Sequence, residues 1–100
     1  MAPDPGESAV EVRHVAERSR YELIVDGELL GVADYRPLDA GTVVVHHTEV
    51  APALRGRGFS PILVTRMLDD LRARELAVVP TCWYVDEFFG LHPEYADLRR

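Results

Sequence analysis

Between residues 50 and 60 the hydrophobic periodicity of this chain changes from that of strands to that of a helix. The change falls on a turn of two glycines and two arginines, Arg55-Gly56-Arg57-Gly58-Phe59-Ser60. Upstream, Thr42 to Val50 is a β-branched run ended by Ala51-Pro52. Downstream, Phe59, Ile62, Leu63, Met67, Leu68 and Leu71 recur at helical spacing, with Arg66, Asp69, Asp70, Arg72 and Arg74 on the other side. Pro61 falls in the first turn of this helix, where a missing N–H has no intrahelical acceptor to lose. A chain punctuated in this way folds as strands first and a long helix after them.

The residues before Thr42 read as a meander. Val10 to Val15 alternates apolar and polar residues until His14, which makes a short first strand. Arg20 to Val25 and Leu29 to Tyr35 carry β-formers on either side of Asp26-Gly27, a pair suited to the positive-φ positions of a type I′ hairpin. Pro37 and Asp39-Ala40-Gly41 mark the next turn. After the long helix, Leu76 to Pro80 reads as a short buried strand. About Val85 to Leu91 makes a second, shorter helix that His92-Pro93 interrupts. The expected fold class is α+β, a mostly antiparallel sheet with the long helix and the short C-terminal helix packed on it. Residues 1–9, rich in Pro, Gly and acids, suit a flexible N-terminal tail, and residues 10–100 suit a single domain.

With 100 residues, of which 47% are hydrophobic, the chain can build one modest core and no separate substrate domain. Its net charge of -6 repels a phosphate backbone, so nucleic acid is not an expected partner. Apolar runs such as Thr42 to Val45 fall far short of the ~20 residues that cross a bilayer. The first residues lack the basic start and apolar stretch of a secretory signal, and a cytoplasmic protein is expected. Cys82 is the only cysteine, which rules out an intramolecular disulfide, and no lysine is present among the 11 basic residues. No cluster of Cys, His or carboxylates has zinc spacing, so no metal is expected.

The glycine turn stands where unpaired N–H groups and the positive end of a helix dipole converge, a place that favours anions. Gly56 and Gly58 let the main chain approach a ligand and take positive φ, while Arg55 and Arg57 add charge suited to phosphate. A plain strand-to-helix turn with solvated arginines explains the hexapeptide equally well when it is taken alone. Arg55-Gly56-Arg57-Gly58-Phe59-Ser60 nevertheless resembles the R/Q-x-x-G-x-G/A signature of the GNAT-superfamily acetyltransferases. In that family the signature wraps the pyrophosphate of acetyl-CoA with backbone amides. His47-Thr48-Glu49-Val50 before the turn, Val79-Pro80-Thr81-Cys82 after the helix and His92 to Leu98 at the end extend the resemblance to the short YjdJ-like branch. Ser60 replaces the usual small final residue, and Trp83-Tyr84 stands where the branch has a Pro-aromatic pair.

The resemblance implies a minimal GNAT-like fold and an acetyl-CoA-dependent N-acetyltransferase acting on a primary amine. It implies that Val50, Arg55, Gly56, Arg57, Gly58, Phe59 and Ser60 hold the cofactor. It also implies an acyl chain running between two splayed strands, those ending at His47–Val50 and at Val79–Cys82. Such a reaction needs a base for the amine, a donor for the oxyanion and an acid for the departing thiolate. Strict alternation puts Val43, Val45, His47 and Glu49 on one face and Val44, His46, Thr48 and Val50 on the other. His47 and Glu49 are the candidate bases on this reading, Glu49 being preferred, and His46 and Thr48 are structural. Cys82 has three open readings: a nucleophile activated by a cation such as His47, a thiol lining the pocket, or an inert core residue. Tyr84 is the candidate acid, or an aromatic packed under the short helix. A non-catalytic acyl-CoA-binding or protein-interaction module remains the alternative to an enzyme.

Overall fold

Asp26 and Gly27 take φ values of 50° and 83°, and the hairpin they close joins β2 (Arg20–Val25) to β3 (Glu28–Asp39). The computed structural model describes residues 3–100; Met1 and Ala2, at the start of the expected tail, lie outside the described residues. Of the residues before the first strand, Asp4 accepts the Gly6 N–H at 2.8 Å and closes a turn. The remaining elements are β1 (Val10–Val15), β4 (Thr42–Val50), α1 (Phe59–Ala73), β5 (Ala77–Pro80), α2 (Trp83–Leu91) and a closing 3₁₀ segment, Pro93–Leu98. The sheet order is β1-β2-β3-β4-β5, antiparallel from β1 to β4. Only β5 runs parallel to its neighbour β4, and α1 makes the crossover that such a pair requires.

The outcome for each element has a local cause. β3 runs four residues beyond Tyr35, through Pro37, and the turn comes only at Ala40-Gly41; Pro37 sits beside a register shift near the strand's end, where a missing N–H is tolerated. α2 starts at Trp83, two residues before Val85, because Asp86 N donates to Cys82 O at 3.0 Å and adds a first turn. In α1 the buried residues are Phe59, Leu63, Val64, Met67, Leu68 and Leu71; Val64 takes the core position expected of Ile62. Asp69 and Asp70 are not simply solvated. Tyr21 Oη donates to Asp70 Oδ2 at 2.6 Å, and Tyr95 Oη to Asp69 Oδ1 at 2.7 Å, so adjacent carboxylates fasten α1 to β2 and to the closing segment.

One face of the sheet meets both helices. Leu23, Val25, Ala33, Val43, Val45 and Val78 pack with the α1 stripe and with Val85, Phe88 and Phe89 of α2 in a single cluster. The opposite face carries ion-paired side chains, among them Arg20 with Asp34 and Glu22. Alternation along β4 does not hold throughout. Asp34 pairs with His47 and Tyr35 with Val45, so His46 is an extra residue that forms a bulge. Beyond it the parity reverses: Thr48 lies opposite Ala33 and Val50 opposite Gly31, on the helix-covered face with Val43 and Val45. His47 and Glu49 therefore point to the other face, which corrects the grouping expected from strict alternation.

Gly31 is where this face leaves no room. A Cβ there would meet Val50 Cγ1 at 2.9 Å, Leu23 Cβ at 3.1 Å and the Glu49 carbonyl oxygen at 3.1 Å. Two of these neighbours are fixed by the sheet, so Gly31→Ala is expected to cost about 1–3 kcal/mol in a denaturant titration, as other overpacked core sites do. An unchanged midpoint would show that β4 can move outward at Val50.

Candidate active site at the fork between two parallel strands

β4 and β5 stay paired from Thr42 opposite Ala77 to Val45 opposite Pro80. There they separate: Thr81 N and Cys82 N both donate to Val45 O, at 3.1 and 3.2 Å, and the chain turns away into α2 while β4 continues to Val50. The fork holds a cleft of about 330 Å³ walled by Thr48, Glu49 and Val50 on β4, Leu63 and Val64 on α1, and Trp83 and Tyr84 on α2. Arg55 and Ser60 border it at the loop end. A second hollow of about 350 Å³ adjoins it, edged by Gly56, Gly58, Phe59 and Ser60. Ser60 and Tyr84 border both spaces, so the two hollows adjoin between the glycine loop and the fork.

The loop end suits an anion. Gly56 and Gly58 have φ of 74° and 88°, a region that side-chain-bearing residues seldom enter. Gly58 caps α1, no side-chain capping hydrogen bond forms there among the described residues, and no acidic residue occupies the helix's first turn. Arg55 N and Arg57 N are used internally, donating to Pro52 O and Leu54 O at 3.2 Å, which fixes the shape of the loop. Their guanidinium groups are exposed, and among the described residues neither makes an ion pair, whereas Arg20, Arg72, Arg74 and Arg99 all do. Among the described residues nothing lies within 4 Å of a Cβ built on Gly56. A diphosphate matches this donor set: free amides, a helix N-terminus and two unpaired cations. Phe59 itself is 0% exposed, its ring belonging to the core beneath the loop.

The fork end is divided by the sheet. His47 Nε2 and Glu49 Oε1 are 3.6 Å apart, as their common face requires, and both side chains are exposed. The Cys82 sulfur is on the helix side, buried to 9% exposure, with Thr48 Oγ1 at 3.4 Å. Burial pushes the thiol up, but the Thr48 hydroxyl and the backbone N–H groups of Val85, Tyr84 and Thr48 outweigh it and hold the thiol below its ordinary value. The expected pairing of Cys82 with His47 is not formed, since the bulge turns His47 away and brings Thr48 to the sulfur. Burial, and then the charge of Glu87, push the Tyr84 phenol above its ordinary value, so it stays protonated near neutrality and can donate. Thr48 is the site residue that strict alternation misplaces, because a bulge is a property of strand pairing and leaves no local mark in β4.

A mixed sheet split between parallel strands, with an uncapped glycine-rich helix start at the mouth of the split, defines the acetyltransferase type of α+β fold. The chain belongs to the GCN5-related N-acetyl-transferases, whose family profile matches residues 20–98. It is 31% identical over 91 residues to the NATD1 protein of Xenopus tropicalis, covering 90% of this chain and 83% of that protein. It is also 31% identical to NATD1 of Bos taurus, over 92% of this chain and 81% of the relative. The solution structure of a GCN5-like protein from Staphylococcus aureus superposes with a TM-score of 0.71 at 20% identity, covering 90% of this chain and 87% of that one. Among the described residues no helix is long and apolar enough to cross a membrane.

Proposed function

We propose that this chain is an acetyl-CoA-dependent N-acetyltransferase that passes the acetyl group to a primary amine through Cys82. The observation that carries this reading is the pair of adjoining hollows that lead from the unpaired arginines and free amides of Arg55–Ser60 to the fork, where Thr48 on the cleft wall touches the Cys82 sulfur. Arg55, Arg57 and the amides of Gly56, Gly58, Phe59 and Ser60 hold the pyrophosphate, and Val50 guides the acyl arm along β4. When bound, acetyl-CoA supplies an activated thioester. The Cys82 thiolate attacks its carbonyl carbon, a bond to Sγ forms, the bond to the cofactor sulfur breaks, and Tyr84 protonates the departing thiolate. A neutral amine then attacks the acetyl group on Cys82. Glu49, which borders the cleft while its carboxylate leaves β4 on the other face beside His47, takes the amine proton through a water at the strand edge as the C–N bond forms and Sγ leaves as the thiolate. The reaction belongs in the cytoplasm on this reading, where a lone thiol stays reduced.

A second reading, a non-catalytic acyl-CoA-binding or protein-interaction module, is favoured by the burial of Cys82 to 9% exposure. Calorimetric titration with acetyl-CoA and a thiol-release assay against a panel of amines separate the two. Binding with amine-dependent thiol release is expected. Binding without release from any amine supports the module, and absence of binding overturns both.

A further inference from the structure

We propose that Thr48 is the positioning residue for Cys82, its hydroxyl holding the sulfur at the fork and donating to it as the thiolate forms. The proposal rests on Cys82 being the acetyl carrier. Thr48 reaches the sulfur only because of the bulge at His46, and it fits because its cross-strand partner is the small, fully buried Ala33. Its hydroxyl makes no other hydrogen bond among the described residues than the 3.4 Å contact to Cys82 Sγ. Between a neutral thiol and a hydroxyl either group can donate. Once the thiol ionises the sulfur has no proton, so the hydroxyl must be the donor, and a hydrogen bond to a charged acceptor is the stronger of the two. The contact therefore favours the thiolate over the thiol, and the stiff β-branched χ1 of threonine keeps the donor aimed.

The charged and titratable groups around Cys82 do not perform this task. His47 and Glu49 leave β4 on the opposite face, and Asp86 on α2 is paired with Arg99. Tyr84 remains protonated. The facing part of α1 is Leu63 and Val64, and β5 ends in Val79, Pro80 and the uncharged Thr81. The amides at the start of α2 lean toward the sulfur without closing a capping hydrogen bond. Thr48 is thus the side chain within bonding distance that can distinguish the two ionisation states.

Cys82 is the only thiol, so its ionisation can be read from the pH dependence of alkylation by iodoacetamide, independently of acetyl transfer. Thr48→Val keeps the shape and removes the donor; Thr48→Ser keeps the donor. The alkylation profile of Thr48→Val is expected to shift to higher pH, with a rate on the order of tenfold lower near neutrality, while Thr48→Ser follows the wild type. Should valine fail to fold, Thr48→Ala repeats the comparison. A Thr48→Val or Thr48→Ala profile that overlays the wild type, or a Thr48→Ser profile that shifts with them, overturns the proposal. If the shift appears but wild-type Cys82 takes no acetyl group from acetyl-CoA, the positioning role stands and the carrier reading of Cys82 falls.

Discussion

Incubated with acetyl-CoA alone, the chain is expected to gain one acetyl mass that hydroxylamine removes, and Cys82→Ser to gain none. Composition makes the experiment clean: with no lysine present, the N-terminal amine is the one other ready acceptor, and its amide resists hydroxylamine. Serine keeps the volume of the side chain but ionises so much less readily that transfer should fall by at least ~1000-fold, as for other removed nucleophiles. Acetyl-CoA affinity should barely change, because the phosphate donors lie at the other end of the groove. The sign of the pH dependence follows from the thiol. Its ionisation lies below the ordinary range, so adduct formation should rise with pH and level off earlier than for a free cysteine. If Cys82→Ser stays active and Glu49→Gln does not, the amine attacks the thioester directly with Glu49 as base. Full activity in both variants removes both routes.

Gly58→Val is expected to weaken acetyl-CoA binding by on the order of 100-fold or more. At φ 88° a β-branched residue is strained by about 1–3 kcal/mol, and relief by peptide rotation would take the first amides of α1 out of the groove. Each charge-assisted hydrogen bond so lost is worth about 1.5–3 kcal/mol. Among the described residues only Pro5 Cγ comes as close as 4.0 Å to a Cβ on Gly58, so the effect is one of main-chain direction. Gly27→Val is the matched control. It meets the same strain at φ 83°, also in open space, but in the β2–β3 turn, and should lose stability while binding acetyl-CoA as the wild type does. Isothermal titration of the two variants decides the point: equal affinities would move the phosphate site away from Arg55–Ser60.

What could be read from the chain alone was whatever is fixed within a few residues. The Asp26-Gly27 turn, the long amphipathic helix after Gly58 and the short helix before His92 each depend on neighbours in sequence, and each formed where periodicity and turn chemistry placed it, apart from the two residues by which α2 starts early. The resemblance carried by Arg55–Ser60 and the blocks around it identified the family for the same reason. Features set by pairing across the sheet were not legible. The extra residue at His46 arises from the register between β3 and β4, and it alone determines whether His47 or Thr48 faces the thiol. Asp69 and Asp70 looked like part of a solvated face, since Tyr21 and Tyr95, which claim them, are 49 and 26 residues away along the chain.

The bulge at His46 also bears on how a site of this kind can diversify. Were His46 absorbed into the ladder opposite Asp34, with every later pair slipping by one place, unbroken alternation would swing the imidazole of His47 inward and carry the Thr48 hydroxyl out to the opposite side, whereas deleting His46 would leave both on their present faces. A one-place slip of register would thus exchange a thiol supported by neutral donors for a thiol beside an imidazole. Relatives that keep the length from Val45 to Val50 but pair without the bulge should accordingly form a second chemical type, told apart by the pH at which each begins to turn over.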